Sequence, residues 1–228
     1  MLDLLLPRRC VVCGRPGADL CGPCGTGLPQ LGSVRCARCG APTAWPVARC
    51  RECSGRRLAF ARARAAAAYE GDTRRLLAAW KEHGLRGLAR DAALVVADRV
   101  ARPVAETVTF VPPDGGRRLR RGYHPAERLA AELARAWALP CAALLERRGP
   151  SRRQRGLPLA ERRRNVRGAF RAAAPVGGRV VLVDDVYTSG ATAHAAAAAL
   201  RAAGAREIEV VTFARTIRGS GLGLGERR

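Results

Sequence analysis

The stretch RVVLVDDVYTSGAT, residues 179–192, joins an apolar segment, two acids, a loop of small residues and the start of a helix. Its apolar part, Val180 to Val183, predicts a buried strand. The strand delivers Asp184 and Asp185 at its C-terminal end. Because open α/β sheets bind ligands at the carboxyl ends of their strands, these two acids are predicted to face a ligand site.

The loop after the two acids has the composition of a phosphate-binding turn. It consists of Thr188, Ser189, Gly190, Ala191 and Thr192, and a helix is predicted from residue 193. The glycine lets backbone N–H groups approach an anion, the hydroxyls can donate, and the helix N-terminus adds partial positive charge. Because carboxylates repel phosphate, Asp184 and Asp185 are expected to contact ribose hydroxyls or their bound Mg²⁺. The alternative, a capped helix start with two surface acids, leaves the order of these parts unexplained.

Strand and helix patterns alternate on both sides of this stretch, which predicts an α/β fold with a mostly parallel sheet. Strands are expected at 62–69, 107–111, 179–183 and 208–213, and helices at 72–81, 86–101, 125–138 and 193–203. Residues 146–171 are expected to be loop-like. The expected division is a Cys-rich module over 1–58, an α/β domain over 59–218 and a disordered tail over 219–228.

Eight of the nine cysteines form four CxxC pairs near the start of the chain. The pairs are Cys10 and Cys13, Cys21 and Cys24, Cys36 and Cys39, and Cys50 and Cys53. Two such pairs complete a tetrahedral thiolate site, so eight ligands suit two zinc ions, which are structural because no coordination position stays open. Sequential pairing is preferred, while interleaved pairing and an iron–sulfur cluster stay open. Cys141 stands alone and is expected to be a small buried residue.

The chain carries a formal net charge of +22, with 40 arginines and a single lysine, Lys81. Such a surface attracts nucleic acid, phosphorylated metabolites or anionic lipid, although an Arg-rich proteome would give the same composition. Single-stranded DNA is expected to bind through Arg152, Arg153, Arg155, Arg162, Arg163 and Arg164. No apolar stretch approaches the roughly 20 residues of a membrane helix, so a soluble, cytoplasmic protein is expected.

The stretch at 179–192 closely resembles the phosphoribosyl-diphosphate-binding signature of type I phosphoribosyltransferases. With the cysteine pairs, the chain is similar to the ComF family, the competence-associated phosphoribosyltransferase-like proteins. Further family-like stretches are EGDTRRLLAAWKEHG (70–84), VPPDGGRRLRRGYHPAERLA (111–130) and RRQRGLPLAERRRNVRGAF (152–170). The family usually has Asn-Gln where this chain has His124 and Pro125, which leaves the role of these two positions open.

The resemblance implies a type I phosphoribosyltransferase-like sheet flanked by helices, behind a double zinc ribbon. It assigns the ribose hydroxyls to Asp184 and Asp185, and the 5′-phosphate to residues 188–192. It also implies Mg²⁺ bound with the ligand. The implied diphosphate loop consists of Pro113, Asp114, Gly115, Gly116 and Arg117.

The resemblance implies a protein that binds phosphoribosyl diphosphate and handles single-stranded DNA during natural transformation. Other DNA-uptake proteins are its expected partners. The alternative is an active phosphoribosyltransferase with an unknown, nucleobase-like acceptor. No general base can be identified from the sequence, so the catalytic residues stay unknown.

Overall fold

A computed structural model of the chain describes residues 8–82, 84–113, 122–148 and 168–217. Several predicted features lie outside these residues. They are the tail over 219–228, most of the diphosphate loop (Asp114, Gly115, Gly116 and Arg117) and the six predicted DNA-binding residues (Arg152, Arg153, Arg155, Arg162, Arg163 and Arg164).

Four strands belong to the main sheet: β1 Arg62–Ala68, β2 Thr107–Phe110, β5 Arg179–Tyr187 and β6 Glu207–Arg215. They are parallel and lie in the order β1, β6, β5, β2. The predicted mostly parallel sheet is therefore confirmed. Strand β5 extends beyond its predicted end at residue 183, because its pairing with β6 continues to Tyr187, opposite Arg215. As a result, Asp184 and Asp185 lie inside the last part of the strand.

Two short strands, β3 Leu145–Arg147 and β4 Phe170–Ala172, pair antiparallel in a separate sheet. The expectation that residues 146–171 are loop-like is therefore wrong at both ends of that range. The pair is closed by an ion pair between Arg171 and Glu146. A three-residue strand has too few alternating positions to stand out from a basic sequence, so the pattern did not reveal it.

Five helices lie among the described residues. They are α1 Gly22–Thr26, α2 Gly71–Glu82, α3 Leu88–Arg99, α4 Pro125–Ala136 and α5 Ala191–Ala202. Helix α5 begins two residues earlier than predicted, so Ala191 and Thr192 belong to its first turn. None of these helices is long and apolar enough to cross a membrane.

The alternating side chains of β5 separate the core into two layers. Val181 and Val183 pack in one cluster with residues of α2, α3 and α4. Val180 and Leu182 pack in a second cluster with residues of α5. Because side chains of a strand point alternately to opposite faces, a strand covered on both faces has a continuous apolar run, as the sequence has here.

Candidate functional site

The two acids of β5 lie in different surroundings. Asp185 forms an ion pair with Lys81 at the end of α2, with 2.6 Å between Nζ and Oδ2, and both side chains are about three-quarters buried. Burial acts to raise the pKa of Asp185, but the ammonium of Lys81 outweighs it and holds that pKa below its usual range. The single lysine of the chain therefore compensates one charge of the acidic pair.

The carboxylate of Asp184, unlike that of Asp185, is available to a ligand in the cleft described below. Its Oδ1 accepts a hydrogen bond from the backbone N–H of Asp185 at 2.8 Å. Burial and the neighbouring Asp185 raise the pKa of Asp184 to about 7, against the opposing charges of Lys81 and Arg147. Asp184 is therefore the acid of the pair that changes its protonation state near neutral pH.

The loop after β5 depends on Gly190. This residue has a φ of 70°, in the left-handed region, and caps the N-terminus of α5. A Cβ at this position would lie 2.2 Å from the hydroxyl oxygen of Tyr187, so the site requires a glycine for space as well as for conformation. The Oγ of Ser189 accepts a hydrogen bond from the backbone N–H of Ala191 at 3.3 Å, which tightens the turn.

A small cleft opens beside this turn. It is lined by Asp184, Val186, Tyr187, Thr188, Gly190, Thr192, Ala193 and Thr212. Of the predicted residues, Asp184, Thr188, Gly190 and Thr192 therefore meet at one cleft. Asp185 lies against Lys81 instead. The cleft offers hydroxyl and backbone donors and the N-terminus of α5 for an anion, next to a carboxylate for a polyol.

Pro113, the described residue of the predicted diphosphate loop, lies after β2 at the same edge of the sheet. His124 and Pro125, where the chain departs from the family pattern, have a local role. The Nδ1 of His124 accepts a hydrogen bond from the backbone N–H of Glu127 at 3.3 Å, and Pro125 occupies the first turn of α4. The pair therefore begins a helix, as a capping side chain followed by proline often does.

The eight N-terminal cysteines form two clusters, and in each cluster the sulfur atoms lie within 4.8 Å of one another. The first cluster consists of Cys10, Cys13, Cys21 and Cys24, and the second of Cys36, Cys39, Cys50 and Cys53. The first pair is thus grouped with the second and the third with the fourth, as sequential pairing predicts.

Each cluster has a donor set that fits zinc. Four thiolates within a few ångströms suit a tetrahedral ion, and backbone N–H groups support the sulfur atoms. The N–H of Cys21 lies 3.5 Å from the Sγ of Cys10, and the N–H of Cys50 lies 3.2 Å from the Sγ of Cys36. A four-thiolate set leaves no position for water, so the metal would act on the fold and not on a substrate.

Cys141 is exposed, so the expectation that it is buried is wrong. It forms an isolated bridge with Val108 of β2, the strand at one end of the four-stranded order.

Sequence reasoning missed two arginines at the candidate site. Arg56 donates a hydrogen bond from Nη1 to the carbonyl oxygen of Ser189 at 2.9 Å. Arg215, the last residue of β6, is 1% exposed and stacks its guanidinium over the ring of Tyr187, with 4.6 Å between Cζ and the ring centroid. In a chain with 40 arginines, nothing in the local sequence distinguishes these two from the others.

Two family models match the chain. One, described as a double zinc ribbon domain, matches residues 1–54, and the other, described as a phosphoribosyl transferase domain, matches residues 108–222, just over half of the chain. The chain is 28% identical to the DNA utilization protein YhgH of Salmonella typhi over 94% of its own length and 100% of that protein. It is 36% identical to competence protein F of Haemophilus influenzae over 48% of its own length and 50% of that protein. The chain belongs to the ComF family.

Family membership agrees with the two parts of the structure. The phosphoribosyl transferase domain match, residues 108–222, includes strands β5 and β6 of the parallel sheet and nearly all of β2. The double zinc ribbon match, together with the two all-cysteine clusters, supports structural zinc. Among solved structures, a glutamine phosphoribosylpyrophosphate amidotransferase from B. subtilis is similar, with 28% identity and a TM-score of 0.39, over 54% of this chain and 26% of that one.

Proposed function

We propose that the chain binds phosphoribosyl diphosphate with Mg²⁺ at the end of β5, and that it uses this site while handling single-stranded DNA during DNA uptake. One observation carries the first part of the proposal. The carboxylate of Asp184 and the turn around Gly190 line the same cleft, at the N-terminus of a 12-residue helix.

The two halves of this cleft suit the two halves of a ribose 5-phosphate group. A phosphate at residues 188–192 would accept hydrogen bonds from backbone N–H groups and hydroxyls and would gain from the positive end of α5. The ribose hydroxyls would then lie beside Asp184. Mg²⁺, when bound, would neutralise part of the diphosphate charge. We assign the diphosphate itself to residues 113–117, of which the structure describes Pro113, after the end of β2.

Lys81 gives the acidic pair a defined charge before any ligand binds. Its ion pair keeps Asp185 ionised and in a fixed place, while the carboxyl of Asp184 lines the cleft. We assign Asp185 to the ribose side of the site as well, with contacts that form when a ligand or Mg²⁺ competes with Lys81. A phosphate-only site would have no use for two acids, since they would repel the ligand.

Calorimetry tests this assignment. Phosphoribosyl diphosphate with Mg²⁺ should bind the wild type, and changing Asp184→Asn together with Asp185→Asn should remove most of the affinity. The matched control is Asp72→Asn together with Asp98→Asn, which removes the same charge from helix surfaces and should leave the affinity unchanged. Undiminished binding by the first double variant would overturn the roles of both acids.

The DNA part of the proposal rests on charge and on the relatives. The chain has a net charge of +22, and its relatives are named for DNA utilization and competence. We assign the contact to the arginines of 152–164, which lie outside the described residues. A segment of this charge could neutralise either a DNA backbone or a diphosphate, so the two ligands should compete.

Titration of labelled single strands at several salt concentrations tests the DNA part. Replacing Arg152, Arg153 and Arg155 by Ala should flatten the slope of log affinity against log salt by about two units, since each phosphate contact on a single strand contributes roughly 0.7. Phosphoribosyl diphosphate should weaken the binding. An unchanged slope in the triple variant would show that this segment does not hold DNA.

An active transferase is the second candidate, and the surroundings of Asp184 favour it. A carboxyl group with a pKa of about 7 in a cleft is matched to proton transfer at neutral pH. In such a reaction the acceptor nitrogen would attack C1′ of the ribose, diphosphate would leave with the bonding electrons, and a carboxylate could take the acceptor proton. Release of diphosphate in the presence of nucleobases would establish turnover, and its absence across a panel would favour the binding protein.

A further inference from the structure

The segment that follows the second cysteine cluster directly contacts residues 188–192, which we call the phosphate loop. Arg56 lies three residues after Cys53, and its backbone N–H donates to the carbonyl oxygen of Cys53 at 3.3 Å. Its guanidinium donates to the carbonyl oxygen of Ser189 at 2.9 Å. One half-buried arginine thus joins a cysteine ligand to the centre of the loop.

This hydrogen bond fixes the direction of one peptide group in the loop. The carbonyl of Ser189 and the N–H of Gly190 belong to the same trans peptide, in which the two groups point in opposite directions. Because Arg56 holds the carbonyl on the side of the cysteine cluster, the N–H of Gly190 is turned the other way. A glycine in the left-handed region could otherwise allow this peptide to flip at little cost.

A second contact braces the residue before the loop. Arg215 donates to the carbonyl oxygen of Cys39 at 2.6 Å and to the carboxylate of Glu52 at 2.7 Å, and its guanidinium stacks on Tyr187. The hydroxyl of Tyr187 occupies the space beside Gly190. Burial raises the pKa of Tyr187 to about 12, so this hydroxyl is neutral at any ordinary pH.

The two cysteine clusters pack in different layers of the core. The second cluster packs in the same core layer as Tyr187, Ala191 and Ala193. In the first cluster, Cys10 is buried in the other layer, with Cys21 and Cys24 packed against it, beside residues of α2, α3 and α4. Within the described residues, the contacts between a cysteine cluster and the phosphate loop therefore come from the second cluster.

We propose that Arg56 and Arg215 are positioning residues for the phosphate loop, and that the second cysteine cluster is through them a part of the phosphoribosyl diphosphate site. The claim that these arginines increase the affinity for phosphoribosyl diphosphate rests on the proposed function. The claim that they orient the loop does not, because it concerns the protein without ligand.

Hydrogen exchange tests the loop itself in the zinc-loaded, ligand-free protein. The variant Arg56→Ala should speed exchange of the backbone amides over 188–192, since the loop loses the contact that orders it. The matched control is Arg57→Ala, which removes the same charge from an exposed neighbour and should leave these amides unchanged. Zinc content should stay at two equivalents in both variants. Equal exchange in both variants would overturn the proposal whatever the ligand is.

Calorimetry with phosphoribosyl diphosphate and Mg²⁺ then measures the consequence. Arg56→Ala should weaken binding by up to about tenfold, because the ligand must then order a loop that Arg56 no longer holds, at a cost limited by that of one hydrogen bond to a charged group. Arg57→Ala should bind like the wild type. Arg56→Lys keeps a donor and should recover part of the affinity. If the wild type does not bind this ligand, the proposed function fails and the exchange data still decide the role of Arg56. If the wild type binds and Arg56→Ala binds equally well, the positioning role fails alone.

Discussion

Changing Gly190 to alanine should damage the candidate site through the backbone, without removing any polar group. The residue has a φ of 70°, where an L side chain is strained by about 1–2 kcal/mol. A Cβ would also lie 2.2 Å from the hydroxyl of Tyr187, and overpacking of this kind costs about 1–3 kcal/mol. The two effects together predict a loss of about 2–5 kcal/mol if the loop keeps its shape.

The clash could be relieved by moving either the loop or the tyrosine. Because the tyrosine cannot move easily, we expect the loop to move. Tyr187 is 5% exposed and is held between Arg215 and an edge-to-face contact with Phe60. Binding of a phosphate would then have to restore the strained backbone. Since about 1.4 kcal/mol corresponds to a factor of ten, Gly190→Ala should weaken phosphoribosyl diphosphate binding by at least about tenfold.

Calorimetry and thermal melts of the variant and a control separate the backbone strain from the clash with Tyr187. Gly32 has a φ of 75° and nothing within 4 Å of its missing Cβ, so Gly32→Ala adds the strain without the clash or the effect on the loop. It should lower stability by about 1 kcal/mol and leave the affinity unchanged. If Gly190→Ala binds phosphoribosyl diphosphate like the wild type, the loop does not hold the ligand and the reasoning is refuted.

Three further predictions concern the metal and the acids. Freshly purified protein should contain two equivalents of zinc by elemental analysis, and Cys13→Ser should lower this value and unfold the first cluster; a folded, metal-free wild type would contradict it. Affinity for phosphoribosyl diphosphate should fall by about tenfold from about pH 8 to about pH 6, because Asp184, with a pKa of about 7, becomes protonated as the pH falls; a flat profile would exclude an ionised Asp184 from the site. Lys81→Met should destabilise the protein by about 1–3 kcal/mol at neutral pH, because it leaves the carboxylate of Asp185 uncompensated. Since Lys81 lowers the pKa of Asp185, this loss should shrink in melts as the pH falls below about 4, and a loss that is independent of pH would argue against the ion pair.

The parts of the fold that could be predicted are those with a clear local pattern in the sequence. The apolar run from Val180 to Val183 predicted a buried strand, and both of its faces are covered. The CxxC spacing predicted which cysteines form pairs, and adjacency in sequence favoured the grouping that the structure has. Boundaries were less predictable, since the pairing of β5 with β6 carries the strand through Asp184 and Asp185 to Tyr187.

The contacts that could not be predicted join residues far apart in the chain. Arg56 and Ser189 are separated by 133 residues, and Arg215 and Cys39 by 176. Neither arginine belongs to a motif, and their contacts depend on the packing of the second cysteine cluster in the layer that contains α5. Lys81 gave a weak signal as the single lysine of the chain, but its partner was identified only from the structure.

A structure of the zinc-loaded protein with phosphoribosyl diphosphate and Mg²⁺ tests the central claim most directly. The 5′-phosphate should lie against the N–H of Gly190 and the hydroxyls of Thr188 and Thr192, and the ribose hydroxyls should lie beside Asp184 and Asp185. Ligand found away from the end of β5, or no ligand at a saturating concentration, would contradict the account.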